Sequence, residues 1–393
     1  MFSTMARDPS RGENTTTGTG ASPPPPARRT EGTIALVQAL RFFAALLVVL
    51  YHAPTMNPDY TERPSRFDAF HLGGAGVDVF FVISGLVITL TVAKARHFDL
   101  ADFAARRFWR IFPVYWAFLA ATIAVELLSL RVGIGAPFAE AGNPVYIVTS
   151  VFLLPLPFQI MEVAWTLGLE ITFYLLFALG FRCYGLRGVV AALLLWYAFA
   201  VLYVSTPLGD VPALFYLGYP VILEFAFGIA ICWLHLNTRM PLGPAALVLG
   251  TAAMAGALFA PEVASLAALL HEPELRREFQ FGIPAAILVY GAVATPLKVP
   301  GWLLLLGQSS YILYLLHSLF FGVARAAVNL ALGVELGASD LGVAALIVGA
   351  VALSAVLTHT VERPFLLWSR RFVPGYSVPP TGFGAGIPAK RDT

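Results

Sequence analysis

Arg41 and His52 lie eleven positions apart inside an apolar stretch reading LRFFAALLVVLYH. Eleven helical steps of about 100° make three turns plus roughly 20°, so the two side chains would share one face about 16 Å apart along the axis. A pair so placed can anchor a long ligand with the guanidinium and do proton chemistry with the imidazole, the side chain suited to a general base near neutral pH. The plainer reading makes Arg41 a cation snorkelling to lipid headgroups and His52 an interfacial side chain beside Tyr51. Asp78, in GVDVFFVISG, could orient that imidazole or simply satisfy a helix N-terminus. Ser84 and Gly85 follow in the same stretch; Ser84 lacks the GxSxG setting of a nucleophile elbow, and the glycines permit close helix approach.

A second constellation is ARRFWRIFPVYW, residues 105 to 116. Arg106, Arg107 and Arg110 contain i, i+3 and i, i+4 pairs and would line one side of a helical entry, a cluster suited to phosphate. The alternative is ordinary positive-inside anchoring within an aromatic belt. In WTLGLEITFY, Trp165, Glu170 and Tyr174 would give a cavity a carboxylate and aromatic walls, or pair a buried arginine. Tyr311, Tyr314 and His317 in SSYILYLLHS recur at three-residue steps and so form one helical stripe that could line the same cavity, packing being the default for the tyrosines. Glu224, in YPVILEFAFG, is a further acid in an apolar setting. An ionisable group in hydrocarbon costs about 2.5 kcal/mol or more, so each is a candidate for function.

The elements that position these residues follow from composition. The chain has 393 residues, 58% apolar and only 12% charged, about half the charge a water-exposed surface carries. Its net charge of +2 provides no field for nucleic acid. Cys183 and Cys232 stand in no disulfide framework or metal-ligand spacing, so no metal site is expected. Residues 1 to 32, with the run Pro23 to Pro26, read as a disordered cytoplasmic tail. Residues 33 to 368 form the membrane domain, and 369 to 393 a second cytoplasmic tail. A signal peptide is not expected, because no small-residue cleavage pattern follows the first apolar stretch.

A span takes about 20 apolar residues. Ten such windows lie near 34–53, 74–93, 111–129, 166–182, 188–205, 212–235, 242–260, 280–297, 301–322 and 341–360. Residues 145 to 158 are apolar but short and broken by Pro155 and Pro157, and are read as re-entrant or packed at the outer interface. With the N-terminus inside, 18 of the 25 Lys and Arg lie on the cytoplasmic side, six lie outside, and Arg41 lies within a span, as the positive-inside rule requires. The fold class is an all-α polytopic membrane bundle of about ten helices with both termini cytoplasmic; barrel strands would alternate in polarity.

The order R-x10-H, GVDVFFVISG, RRFWRIFPVYW, WTLGLEITFY, YLLHS and VERP (361–364) resembles the membrane-bound acyltransferase family three from about residue 34 to 368. This group includes bacterial O-acetyltransferases of surface polysaccharides and related acceptors. The resemblance implies a multi-pass protein of the bacterial inner membrane. It would move an acetyl or other short acyl group from cytoplasmic acetyl-CoA to an outward-facing hydroxyl of a saccharide or lipid-linked saccharide, amid membrane lipids. By that resemblance Arg41 and His52 match the paired arginine and catalytic histidine, and Arg107 and Arg110 match arginines of donor binding. Arg106, Ser84 and Gly85 are placed with the donor site, Asp78 and Glu170 with the catalytic group, and Trp165, Tyr174, Tyr314 and His317 with the substrate cavity. There are departures: WTLGLE lacks the serine that many relatives have after the tryptophan, Ile171 replaces the second acid that often follows the glutamate, and there is no GDS-type serine motif of the hydrolase domain that longer relatives carry. The chain is therefore expected to act alone or to pass product to partners.

His52 would take the acceptor proton directly or carry the acetyl group as an intermediate; the residues do not separate the two. A secondary transporter or flippase also has intramembrane charges, but such proteins often contain inverted repeats, and no second R-x10-H or RRFWR occurs in the latter half. A non-catalytic scaffold would leave Arg41, His52 and Asp78 as costs without a use.

Overall fold

The computed structural model describes residues 26–53, 65–95, 97–132, 143–211, 214–219, 221–260 and 277–373. Among them the chain is helical, with no strand. Of the expected tails, 1–25 and 374–393 lie outside the described residues, and the first helix begins at Pro26, inside the stretch assigned to the N-terminal tail.

The helices are α1 (Pro26–His52), α2 (Gly76–Lys94), α3 (Leu100–Val132), α4 (Pro144–Phe152), α5 (Trp165–Val204), α6 (Ile222–Asn237), α7 (Gly243–Phe259), α8 (Ile283–Ala294), α9 (Gly301–Gln308), α10 (Ser310–Leu332), α11 (Asp340–Leu357) and α12 (Arg363–Ser369). Among the described residues, six helical stretches are long and apolar enough to cross a membrane, and three shorter apolar ones accompany them. The molecule is a polytopic helical membrane protein. Leu127, Leu128, Leu194, Leu195, Val248 and Leu330 are exposed, an apolar exterior that water would not tolerate and lipid does.

α5 is two helices in one. At Tyr184 and Gly185 the backbone leaves helical geometry, Gly185 taking φ 59°, a left-handed conformation open to glycine at no steric cost. The halves fold back on each other where Gly180 meets the backbone of Gly188, so the expected pair of spans at 166–182 and 188–205 is present as a hairpin. The window near 301–322 is displaced. A short α9 ends at Gln308, and the long helix runs Ser310–Leu332 instead. Similarly α6 starts at Ile222, ten residues into its window.

α4 has nine residues, about 13 Å at 1.5 Å per residue, too short to span. Leu153 takes a left-handed φ of 51° at its end, and the Ile160 amide donates to Ser150 Oγ at 2.8 Å, so the chain doubles back. Tyr115 and Trp116 of α3 donate to the carbonyls of Ser150 and Val151, both at 2.8 Å.

α2 is the central helix and is buried along most of its length. Backbone proximity locks it to α6: a Cβ on Gly85 would strike the Phe225 carbonyl, and one on Gly228 the Val82 carbonyl. Small residues give such backbone contact in lipid, where packing rather than the hydrophobic effect joins helices.

Candidate active site

Arg41, Ser84, Arg107, Arg110, Glu170 and Tyr311 line a cavity of about 110 Å³ between α1, α2, α3, α5 and α10. Arg41 donates through Nε to Ser310 Oγ at 3.3 Å. Arg107 lies over the rings of Phe103 and Tyr174, at 5.8 and 5.7 Å; its buried Nε has no hydrogen-bond partner among the described residues. Arg110 pairs with Glu362 at 2.5 Å and lies 5.5 Å from the centre of the Tyr311 ring. Glu362 is almost fully buried, and it reaches Arg110 from a π-helical turn, Thr358–Glu362, inserted between α11 and α12. Glu170 accepts from Ser84 Oγ at 2.6 Å and also from the Tyr174 hydroxyl. The cavity thus gathers three guanidiniums, one of them neutralised by Glu362, around one hydrogen-bonded carboxylate.

Tyr314 bounds the cavity toward the C-terminal end of α1. Its hydroxyl sits 2.7 Å from Thr166 Oγ1 and donates to the Val163 carbonyl at 2.9 Å. Its ring meets Phe80 on the cavity side, centroids 6.1 Å apart, and His317 beyond, at 6.2 Å. His317, fully buried, is in turn paired with His52: Nε2 of His317 lies 3.3 Å from Nδ1 of His52, with ring centroids 5.0 Å apart. Arg41 and His52 therefore both meet α10, one at Ser310 and the other at His317, as a shared helix face requires.

The structure moves five expected residues to other places. Asp78 is fully buried and holds Arg277 in a two-pronged pair at 2.7 and 3.2 Å, so the carboxylate is taken up there and not as the orienter of His52. Arg277 also donates to the Gly74 carbonyl at 3.1 Å. Gly85 faces α6, about 100° round the helix from Ser84, and lies against the Phe225 backbone outside the cavity lining. Arg106 turns back one helical turn onto Asp102 at 2.8 Å, away from the cavity lining. Trp165 stacks on Tyr216 at 5.2 Å, leaving the cavity wall to its neighbour Thr166. His317 belongs to the His52 pair rather than to the lining. Ser310, Thr166, Glu362 and Arg277 were not singled out by spacing; VERP carried Glu362 but gave no partner.

A family model described as an acyltransferase domain matches residues 34–359, most of the chain. The chain belongs to acyltransferase family three. The acyltransferase is 31% identical over 315 residues, 76% of this chain and 90% of the other, to the exopolysaccharide production protein ExoZ of Rhizobium meliloti (strain 1021). No solved structure matches the acyltransferase.

Proposed function

We propose that the acyltransferase moves an acetyl or other short acyl group from acyl-CoA, entering from the cytoplasm, to a hydroxyl of a saccharide on the far side of the bacterial inner membrane. One observation carries this reading: a cavity rich in arginine is separated by the layer Phe80–Tyr314 from a histidine pair at the C-terminal end of α1. Family membership supports acyl transfer. The likeness to an exopolysaccharide production protein supports a saccharide or lipid-linked saccharide acceptor. The basic residues, 18 of 25 on one side, support both termini in the cytoplasm.

In this mechanism Arg107 and Arg110 hold donor oxygens by charge-assisted hydrogen bonds, and Arg41 positions the thioester end along α1. The acceptor hydroxyl loses its proton to His52 and attacks the thioester carbonyl carbon. The C–S bond breaks, CoA leaves as thiolate and takes up a proton, and the acyl group stays on the acceptor oxygen. An acetyl-histidine route uses the same imidazole as nucleophile. A positioned base contributes about 10²- to 10⁴-fold to the rate. Protein in lipid nanodiscs, given acetyl-CoA and a purified exopolysaccharide, should release CoA thiol and add acetyl mass to the glycan. His52→Ala should lose this activity while inserting and folding normally; near-normal turnover in that variant would sink the assignment.

A further inference from the structure

His52 Nδ1 lies 2.9 Å from the Val48 carbonyl oxygen, and His317 Nδ1 lies 3.1 Å from the Leu313 carbonyl oxygen. A carbonyl oxygen only accepts, so each Nδ1 must carry a proton. With its proton on Nδ1, a neutral His317 has a lone pair on Nε2, and that is the atom 3.3 Å from His52 Nδ1. Two main-chain carbonyls thereby set both tautomers. The N–H of His52 is shared between Val48 and His317, a three-centre arrangement common at helix termini, and the lone pair of His52 falls on Nε2.

We propose that His317 is a positioning residue for acyl transfer, accepting from His52 Nδ1–H so that His52 presents Nε2 to the acceptor hydroxyl as the base. This rests on the reading of His52 given above. When Nε2 takes the acceptor proton, the imidazolium that forms has its Nδ1–H already directed at two acceptors. His317, fully buried in α10 and tied to its own backbone, cannot drift from that place. It fills the role that carboxylates have beside catalytic histidines, the role the sequence had suggested for Asp78, but with a neutral group whose own burial needs no counter-ion.

Two variants separate positioning from support. His317→Gln can set Oε1 where Nε2 was and donate its amide to the backbone, whereas His317→Leu fills the space without an acceptor. With acetyl-CoA and purified exopolysaccharide as probes, kcat of His317→Leu should fall tenfold to a hundredfold, the range for a hydrogen bond to a charged group. Its KM for acetyl-CoA should stay within twofold, and His317→Gln should recover most of kcat. A Gln variant as impaired as the Leu variant, both folded, overturns the proposal. Independently of activity, ¹⁵N spectra of histidine-labelled protein in nanodiscs should show protonated Nδ1 and unprotonated Nε2 on both His52 and His317. A proton on His317 Nε2 overturns the proposal even if acyl transfer is as described; correct tautomers in a protein without acyl transfer overturn only the reading of His52.

Discussion

Replacing Asp78 and Arg277 singly and together distinguishes a carboxylate that serves the fold from one that serves His52. Asp78 is fully buried, and Arg277 retains 23% side-chain exposure. Two more buried acids, Glu224 and Glu278, stand in the same field. Removing one partner of a buried pair costs about 3–5 kcal/mol because the other charge is stranded. For Asp78→Asn the expected loss is at the low end, about 3 kcal/mol, since water reaches part of the guanidinium and an amide oxygen can still accept from it. Arg277→Gln should cost about 5 kcal/mol, because Asp78 then faces Glu224 and Glu278 without its cation. The double variant should lose less than the sum of the two, with a coupling of about 2 kcal/mol, within the range for residues in direct contact. Unfolding free energies from SDS titration in mixed micelles measure all four corners of the cycle, and acetyl transfer per folded molecule is followed alongside. Losses that add without coupling, or an Asp78→Asn protein of unchanged stability that has lost turnover, would refute this account and return the carboxylate to the catalytic group.

Arg107→Lys keeps the charge but loses the planar fork that matches phosphate or carbonyl oxygens. KM for acetyl-CoA should rise about tenfold with kcat within twofold, a loss of one charge-assisted bond; an unchanged KM places the donor away from this side chain. Outside the spans, burial pushes the Glu335 carboxyl up, but the Arg325 guanidinium at 2.7 Å, the Gly337 amide and Asn329 outweigh it and hold the group below its ordinary value. A depressed carboxyl gives stability that is present above its unfolded value, about pH 4, and is lost as pH falls through the folded one. Glu335→Gln should therefore flatten the acid limb of a thermal-stability profile below about pH 4, and an unaltered limb would assign it to other carboxylates.

Apolar length was readable because lipid demands it: a window of about 20 residues has no other use in a chain with so little charge. The hairpin at Gly185 was equally plain, since two such windows flank it. The position of α10 was not, because the break at Ser309 interrupts neither apolar content nor helical propensity in a way composition records. Spacing placed Arg41 and His52 on a shared face, and Tyr311, Tyr314 and His317 on another. It gave no means of joining His52 to His317, which are 265 residues apart. The same distance effect misled on Asp78. Its partner lies 199 residues away in a stretch that looked like an outer loop cation, whereas His52 was nearer in sequence and chemically plausible. Arg106 and Arg107 are adjacent in sequence, and only the turn of α3 decides which faces the cavity.

The glycine crossings make α2 the fixed wall of the cavity. α2 cannot slide or tilt on α6, because at Gly85 and Gly228 main chain already touches main chain. α7 and α8 are joined in the same way through Gly250 and Gly291. α3 and α10 meet the cavity through long side chains, Arg107, Arg110, Tyr311 and Tyr314, whose rotamers can change without breaking backbone contact. The Arg110–Glu362 pair carries that side of the cavity on to the π-helical turn after α11, so a change in either charge is felt at both places.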